Sequence, residues 1–410
     1  MNKRDELVKR FLRYAGIPSQ SDASVDEVPS TEGQRRYAEL LASELKELGL
    51  CEISIDEHAA VYATLKGNVE NAPCVGFVSH LDTVDVSLSP EVHPQIIRYE
   101  GGDVTLNKEC NIVLKLSEHP ELNAYVGDDI IFTDGTSVLG ADNKAAGANI
   151  MTMLAVLKAD PSIKHGDLKI AFVADEEIGL RGSKLLDLKK FNPDFAYTID
   201  CCQLGDVVYE TFNAGSAKVK IEGVSAHPMS SKGVLVNPLL VAHDLIAMFD
   251  RNETPECTEG KEGYWWFNGI KADATFCTLN VNIRDHDKQS YEMRKKVLQE
   301  NVEKLKHMYP RAKIELEISD TYENIANNVT REDKPVALIY EAFEALGIKA
   351  HTYAMRGGTD GSALSPRGIV TPNYFTGAHN FHSNAEFLPI SAFEKSLEVT
   401  LKLVELVARS

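Results

Sequence analysis

The sequence predicts an α/β protein in two parts: a principal domain with a mixed, mostly parallel sheet flanked by helices, and a ferredoxin-like βαββαβ domain inserted into it. Short apolar runs at residues 74–78, 168–174 and 195–199 are bounded by turn residues and alternate with helical segments, the pattern of buried parallel strands. Between residues 212 and 322 the order is strand, helix, strand, strand, helix, strand, which is a split βαβ unit. A chain of 410 residues also exceeds the usual size of a single core. These patterns draw boundaries at 1–211 for the first part of the principal domain, 212–323 for the insertion and 324–410 for the second part.

Taken in chain order, Leu7, Val8, Phe11 and Leu12 give the first segment a helical period. The run 74–78 is followed by His80 and Asp82, the run 168–174 by Asp175, Glu176 and Glu177, and the run 195–199 by Asp200. Open α/β sheets gather ligands beyond the carboxyl ends of their strands, so these side chains are expected at one sheet edge. Residues 140–144 read Gly-Ala-Asp-Asn-Lys, in which Asp142 is a good N-cap for the helix that follows. Within the insertion, strands are expected at 217–221, 264–270, 275–284 and 313–319, and helices at 238–249, capped by Asn237, and 288–308. Cys277, Leu279, Val281 and Ile283 alternate with Thr278, Asn280, Asn282 and Arg284, so a period of two sends the second set to one face. A row of amides ending in Arg could grip an extended chain and its terminal carboxylate; a solvated outer face would look the same. The rhythm resumes at 335–346 and closes with an amphipathic helix at 391–408.

Residues 79–85 read Ser-His-Leu-Asp-Thr-Val-Asp and residues 174–179 read Ala-Asp-Glu-Glu-Ile-Gly. Carboxylates packed a few ångströms apart repel and take up protons unless a cation neutralises them. Imidazole mixed with carboxylate suits zinc, with cobalt or manganese as substitutes. Two ions about 3.5–4 Å apart can share a carboxylate and a water whose pKa falls near neutrality. Each motif alone has an ordinary explanation: a surface turn for His-x-Asp, a solvated acidic turn for Asp-Glu-Glu, a helix start for Gly-Ala-Asp. Their order and shared strand-end placement make three coincidences the poorer account.

The same motifs resemble those of the zinc-dependent co-catalytic peptidase and aminoacylase superfamily, and within it the peptidase T family of tripeptide aminopeptidases. The closer match rests on Ala-Tyr-Thr-Ile-Asp at 196–200, His227-Pro228, Thr258-Glu259-Gly260, Arg284-Asp285, Arg-Gly-Gly-Thr-Asp-Gly at 356–361 and the run 375–387. It extends from about residue 5 to the C-terminus and includes residues 94–136, a segment typical of that family. The resemblance implies two zinc ions bridged by Asp142, one completed by His80 and Asp200 and the other by Glu177 and His382. Asp82 would orient the His80 ring. Glu176 would be the general base, taking a proton from the bridging water and passing it to the leaving amine. Residues 376–382 offer both His379 and His382, and the family pattern, with Glu386 four residues beyond, favours His382. The chain departs from the pattern at Asn143, where a second Asp is common, and at Ser383, Asn384 and Ala385, without losing an expected ligand.

On the same resemblance the insertion is a lid that closes on substrate. His227 would polarise the scissile carbonyl and stabilise its oxyanion, and Asn280, Asn282, Arg284 and Arg356 would contact the bound peptide. The implied reaction is release of the N-terminal residue from short peptides, tripeptides above all. The same ligands would also serve a deacylase or amidase of N-acyl amino acids, or a di- or carboxypeptidase. A non-catalytic metal-binding scaffold is the reading from another class, and the intact Glu176 opposes it.

Composition sets limits. A net charge of −18 argues against nucleic acid and anionic membrane surfaces as partners. No stretch is long and apolar enough to span a bilayer, and the acidic, helical N-terminal segment does not read as a signal sequence, so a cytoplasmic location is expected. The seven cysteines form no Cys-x-x-Cys pair and suit reduced, mostly buried thiols; Cys201 and Cys202 are expected to fill space as small apolar groups. The lid's strand edge and helices leave homodimerisation open.

Overall fold

The computed structural model describes residues 2–410, which form two compact units. The first takes the chain up to Tyr209, then Asn328–Tyr353 and Thr359–Ser410; the second takes Glu210–Asn327 and Ala354–Gly358.

The first unit is built on an eight-stranded sheet. At its centre Leu168–Val173, Val75–His80, Phe195–Cys201 and Asn373–Phe375 run parallel to one another. Val61–Leu65 and then Cys51–Ile55 add antiparallel on one side, and Asp206–Val208 followed by His351–Thr352 extend the other. Val75–His80 and Phe195–Cys201 are buried at every position, as befits strands covered on both faces. The helix Ala141–Ala159 is buried as far as Leu157 because it packs on those strands and against the helices Lys3–Ala15 and Ile390–Arg409.

A smaller layer carries Phe387–Pro389, Asp129–Phe132 and Gln95–Arg98 as an antiparallel sheet, with a hairpin of Val104–Asn107 and Ile112–Leu114. Tyr99, Leu122, Ile130, Phe132 and Phe387 fill its core. The strand Phe387–Pro389 runs directly into the last helix, so this layer is tied to the chain just after His382.

The second unit is a four-stranded antiparallel sheet in the spatial order Tyr264–Ala272, Phe276–Asp285, Asn213–Glu222, Lys313–Tyr322, with the helices Pro238–Ile246 and Lys288–Met308. Asn237 caps the shorter helix, its side chain accepting from the Leu239 amide at 3.0 Å. That helix ends at Ile246, not 249, because Phe249 turns into the core and packs edge-on against Trp265 and Phe267 at 5.0 and 5.1 Å. Cys277, Leu279, Val281 and Ile283 face the helices, and Ser216, Lys218, Asn280, Asn282, Glu317 and Ser319 line a groove of about 430 Å³ on the other side.

The sequence division left everything after 324 in the first unit, whereas Ala354–Gly358 clusters with the second. Main-chain bonds explain this: Met355 donates to the Glu210 carbonyl at 2.9 Å and Phe212 to that of Gly357 at 3.1 Å. Gly358 is required there, since a β-carbon would lie 2.7 Å from the Tyr322 ring. No described helix is long and apolar enough to cross a membrane.

Candidate metal-binding and catalytic site

Three parallel strand ends converge in the first unit. His80 is the last residue of Val75–His80, Asp200 lies near the end of Phe195–Cys201, and Glu176 and Glu177 follow Leu168–Val173. Asp142 reaches the same place from the start of the buried helix, but not as its cap. Gly140 takes the cap position in a left-handed conformation with φ 74°, and Asp142 and Asn143 are themselves non-helical. The ordinary explanation of this motif as a capped helix start therefore does not apply: the Asp142 carboxylate meets two imidazoles.

One carboxylate oxygen of Asp142 lies 2.9 Å from His80 Nε2 and the other 3.1 Å from His382 Nε2. His382 Nε2 is also 3.0 Å from Glu177 Oε1, and His80 Nε2 is 3.9 Å from Asp200 Oδ1. Two groups therefore share one carboxylate: His80 and Asp200 on one side, His382 and Glu177 on the other. Ligand atoms of His80, Asp142 and Glu177 all lie within 4.8 Å of one another, which fits a metal ion by spacing, and imidazole with carboxylate fits zinc by chemistry.

Asp82 does more than sit behind His80. Its carboxylate is 3.3 Å from His80 Nδ1, and its two oxygens accept the main-chain N–H of Glu176 at 3.0 Å and of Glu177 at 3.1 Å. One buried residue thus fixes the turn carrying both glutamates and an imidazole, whose Nδ1 also lies 2.9 Å from the Asp82 main-chain carbonyl. That turn is anchored again by Asp175, whose left-handed backbone (φ 55°) is held by the Ser30 hydroxyl and amide and by Gln34, the latter both donating to and accepting from it. The turn closes tightly: Gly182 donates to the Ala174 carbonyl at 2.9 Å, and a β-carbon on Gly182 would lie 2.3 Å from that oxygen.

His379 and His382 part company. The Nε2 of His379 is 2.7 Å from the Tyr125 hydroxyl, and its ring stacks on Phe387 at 4.8 Å, whereas His382, with φ 61°, projects to Asp142 and Glu177. Glu386, buried, accepts from the amides of Leu139 and Gly140 at 2.7 and 2.8 Å and of Asp142 at 3.1 Å. Sequence reasoning noted Glu386 only as a landmark and gave no role to Asp175, Gln34, Glu121 or Tyr125. The first acid of Asp-Glu-Glu, Asp175, was the one available signal.

The electrostatics call for cations. Burial, then the neighbouring Asp142, pushes Glu177 up to about 7, and the same pair of causes raises Asp200 well above the carboxylate range. Glu176 is raised well above its ordinary value by burial, and Asp200 and Glu177 push it further while His80 opposes. Asp142 alone is held low, because bonds from His382 and His80 override its burial, and His382 rises to about 11 against its own burial through Asp142 and Glu177. Buried carboxylates that resist ionisation beside imidazoles that hold protons are a site where divalent cations would take over the positive charge.

The five residues expected to contact substrate all belong to the second unit. His227 is exposed and accepts from the Met229 amide at 3.2 Å through Nδ1. Asn280 and Asn282 lie on the outer sheet face, in the groove already described. Arg284 donates to the carbonyls of Gly215 and Ile283, both at 2.9 Å, and lies over the Tyr322 ring. Arg356 donates to the carbonyls of Gly260 and Glu262 at 3.2 and 2.8 Å and to the Thr258 hydroxyl at 2.7 Å, over Phe212 and Tyr264. Arg356 therefore pins the 258–262 loop, a structural task that a lone Arg beside two glycines did not suggest.

Comparison with known proteins adds the following. Residues 209–313 match the peptidase dimerisation domain of M20 peptidases. A peptidase T-like protein of Yersinia pestis is 54% identical over 396 residues, 97% of this chain and 96% of its own length. Peptidase T of Caldanaerobacter subterraneus is 44% identical over 406 residues, covering 98% of this chain and 99% of that one. Among solved structures, a tripeptidase from Staphylococcus aureus superposes with a TM-score of 0.79 at 23% identity over 99% of both chains, a likeness of fold.

Proposed function

The chain belongs to the peptidase T family, and from that premise we propose that it is a two-zinc aminopeptidase releasing the N-terminal residue from short peptides, tripeptides above all. The observation that carries this reading is the Asp142 carboxylate, which gives one oxygen to His80 and the other to His382. Asp142 would bridge the ions, with His80 and Asp200 completing one position and Glu177 and His382 the other. Cobalt or manganese would be accepted by the same donors. Bound there, two ions would lower the pKa of a shared water toward neutrality and polarise the scissile carbonyl.

The chain's own groups do the rest. Glu176 is buried and sits next to the proposed ligand Glu177, so its carboxylate would take a proton from the attacking water and hand it to the leaving amine. Asp82 keeps His80 and the Glu176–Glu177 amides in register, so that base and ligand do not drift apart. His227 would donate to the developing oxyanion. Asn280, Asn282 and Arg284 would hold the peptide, and Arg356 would join them by exchanging its bonds to the 258–262 loop for a carboxylate. The match to a dimerisation domain supports a homodimer, and seven unpaired thiols suit the reducing cytoplasm, although only Cys201 and Cys277 are buried, where most were expected to be.

Metal content and turnover of free, N-acetylated and C-amidated di-, tri- and tetrapeptides test the proposal, with Glu176→Ala alongside. The expected result is two zinc ions per chain, fastest release from free tripeptides and a fall of roughly 10²–10⁴-fold in kcat for Glu176→Ala. Rapid cleavage of N-acetylated amino acids with tripeptides untouched would replace the aminopeptidase reading with a deacylase. Metal near zero, or unchanged hydrolysis by Glu176→Ala, would remove the mechanism.

A further inference from the structure

The loop that carries His382 is held from outside by residues that the mechanism does not use. At its neck His379 N donates to Phe387 O at 2.9 Å and Phe387 N to His379 O at 3.2 Å, so residues 379–387 form a closed loop. Its inner wall is Glu386, which accepts three amides of the turn leading to Asp142. Its outer wall is the short helix Pro120–Tyr125. There the Tyr125 hydroxyl meets His379 Nε2 at 2.7 Å and the Tyr125 ring stands edge-on to His379 and Phe387, at 5.3 and 6.3 Å. Asn380, left-handed at φ 58°, donates its side-chain amide to Glu121 Oε1 at 2.7 Å.

His382 cannot hold itself in place. Its side chain is 45% exposed and its backbone is left-handed, a conformation that a non-glycine residue keeps only when its surroundings impose it. The partners that impose it are the anchors of the loop; from outside both the loop and the cluster of proposed ligands, His119 and the Gly135 carbonyl touch it at 3.2 Å, and Glu121 and Tyr125 hold it more closely, each at 2.7 Å. We infer that Glu121 and Tyr125 are positioning residues that seat the 379–387 loop against the Asp142 turn and so set the affinity of the second ion, the one shared by Asp142, Glu177 and His382. The inference rests on the two-ion reading, and it gives residues 94–136 a purpose: that segment braces one half of the metal site.

The experiment is a zinc titration of chelator-stripped full-length protein in competition with a chromophoric chelator, on wild type, Tyr125→Phe and Glu121→Ala, with circular dichroism to register folding. Tyr125→Phe removes one hydroxyl and leaves the ring contacts, so a folded variant remains even if Glu121→Ala does not fold. The expected result is two sites in wild type, with one of them loosened roughly 10–100-fold in the variants and the other unchanged. Tripeptide hydrolysis should then recover on adding zinc, with KM unaltered. A purely structural role would lower the unfolding midpoint and leave both affinities where they were, which would overturn the inference alone. Equal weakening of both sites would overturn it too, as general loosening. Fewer than two sites in wild type would remove the two-ion reading and this inference with it.

Discussion

Replacing Asp82 by Asn tests how much one buried carboxylate organises. The side chain is fully buried and accepts two main-chain amides, from Glu176 and Glu177, while facing His80 Nδ1 at 3.3 Å. An asparagine has a single oxygen, so one amide must face an NH₂ group. Placing the oxygen toward Glu176 and His80 keeps two contacts and releases Glu177; the reverse sets two donors against each other at His80. The first arrangement is cheaper, so Glu177 loses its tether. A hydrogen bond to a charged group is worth about 1.5–3 kcal/mol, and an amide left buried without a partner costs about 1–3 kcal/mol. Allowing for relaxation, Asp82→Asn should lose about 2–4 kcal/mol of stability in the metal-free protein. Zinc affinity and kcat should each fall roughly 10–100-fold, with KM for a tripeptide changed little. Urea unfolding of chelator-treated protein and zinc-dependent hydrolysis read these out. A variant whose unfolding free energy stays within about 0.5 kcal/mol of wild type, with kcat unchanged at limiting zinc, would refute the reasoning.

His379 predicts an acid weakness. Burial depresses its imidazole from 6.5 to about 4, Glu121 opposing, so the folded protein resists a proton that the unfolded chain accepts readily. The stability this neutral ring preserves is complete above about pH 6.5 and is lost as pH falls toward 4, amounting to about 3 kcal/mol over that window. In metal-free protein, His379→Gln should flatten this part of the pH dependence measured by denaturant unfolding; an unchanged slope between pH 4 and 6.5 would count against it. Arg356→Ala should destabilise the second unit by about 2 kcal/mol through its lost bonds to the 258–262 loop. Faster amide hydrogen exchange confined to that loop is the expected signature, and unaltered exchange there would show that the arginine is not holding it.

How much of this could be read from the residues alone varied with the range of the interaction. The strand ends carrying His80, Glu177 and Asp200 were legible because a short apolar run bounded by turn residues has one good interpretation, and strand order in α/β folds sends such ends to a common edge. The alternation in Phe276–Asp285 likewise placed Asn280 and Asn282 on the outer face correctly. At Asp142 the local pattern supports two readings, because a rule that rewards Asp at a helix start takes no account of two histidines 62 and 240 residues away. The bonds from Asp82 to Glu176 and Glu177 join loops 94 and 95 residues apart and leave no periodic trace. Choosing between His379 and His382 needed family pattern, since what separates them is Tyr125, more than 250 residues upstream. Asn143 stays opaque: it is buried with neither polar atom of its amide hydrogen-bonded, and the structure offers no account of it.

The two halves of the proposed centre are of different ages within a single round of protein synthesis. Once the ribosome has made residue 200, His80, Asp142 and Asp200 all exist; the loop bearing His382 arrives 182 residues later, after Glu210–Asn327 has been made. At about 5–20 residues per second, that is an interval of roughly ten to forty seconds in which the nascent chain can offer a metal one position but not the pair. Hydrolysis that needs both positions would therefore be withheld until the loop bearing His382 has been made.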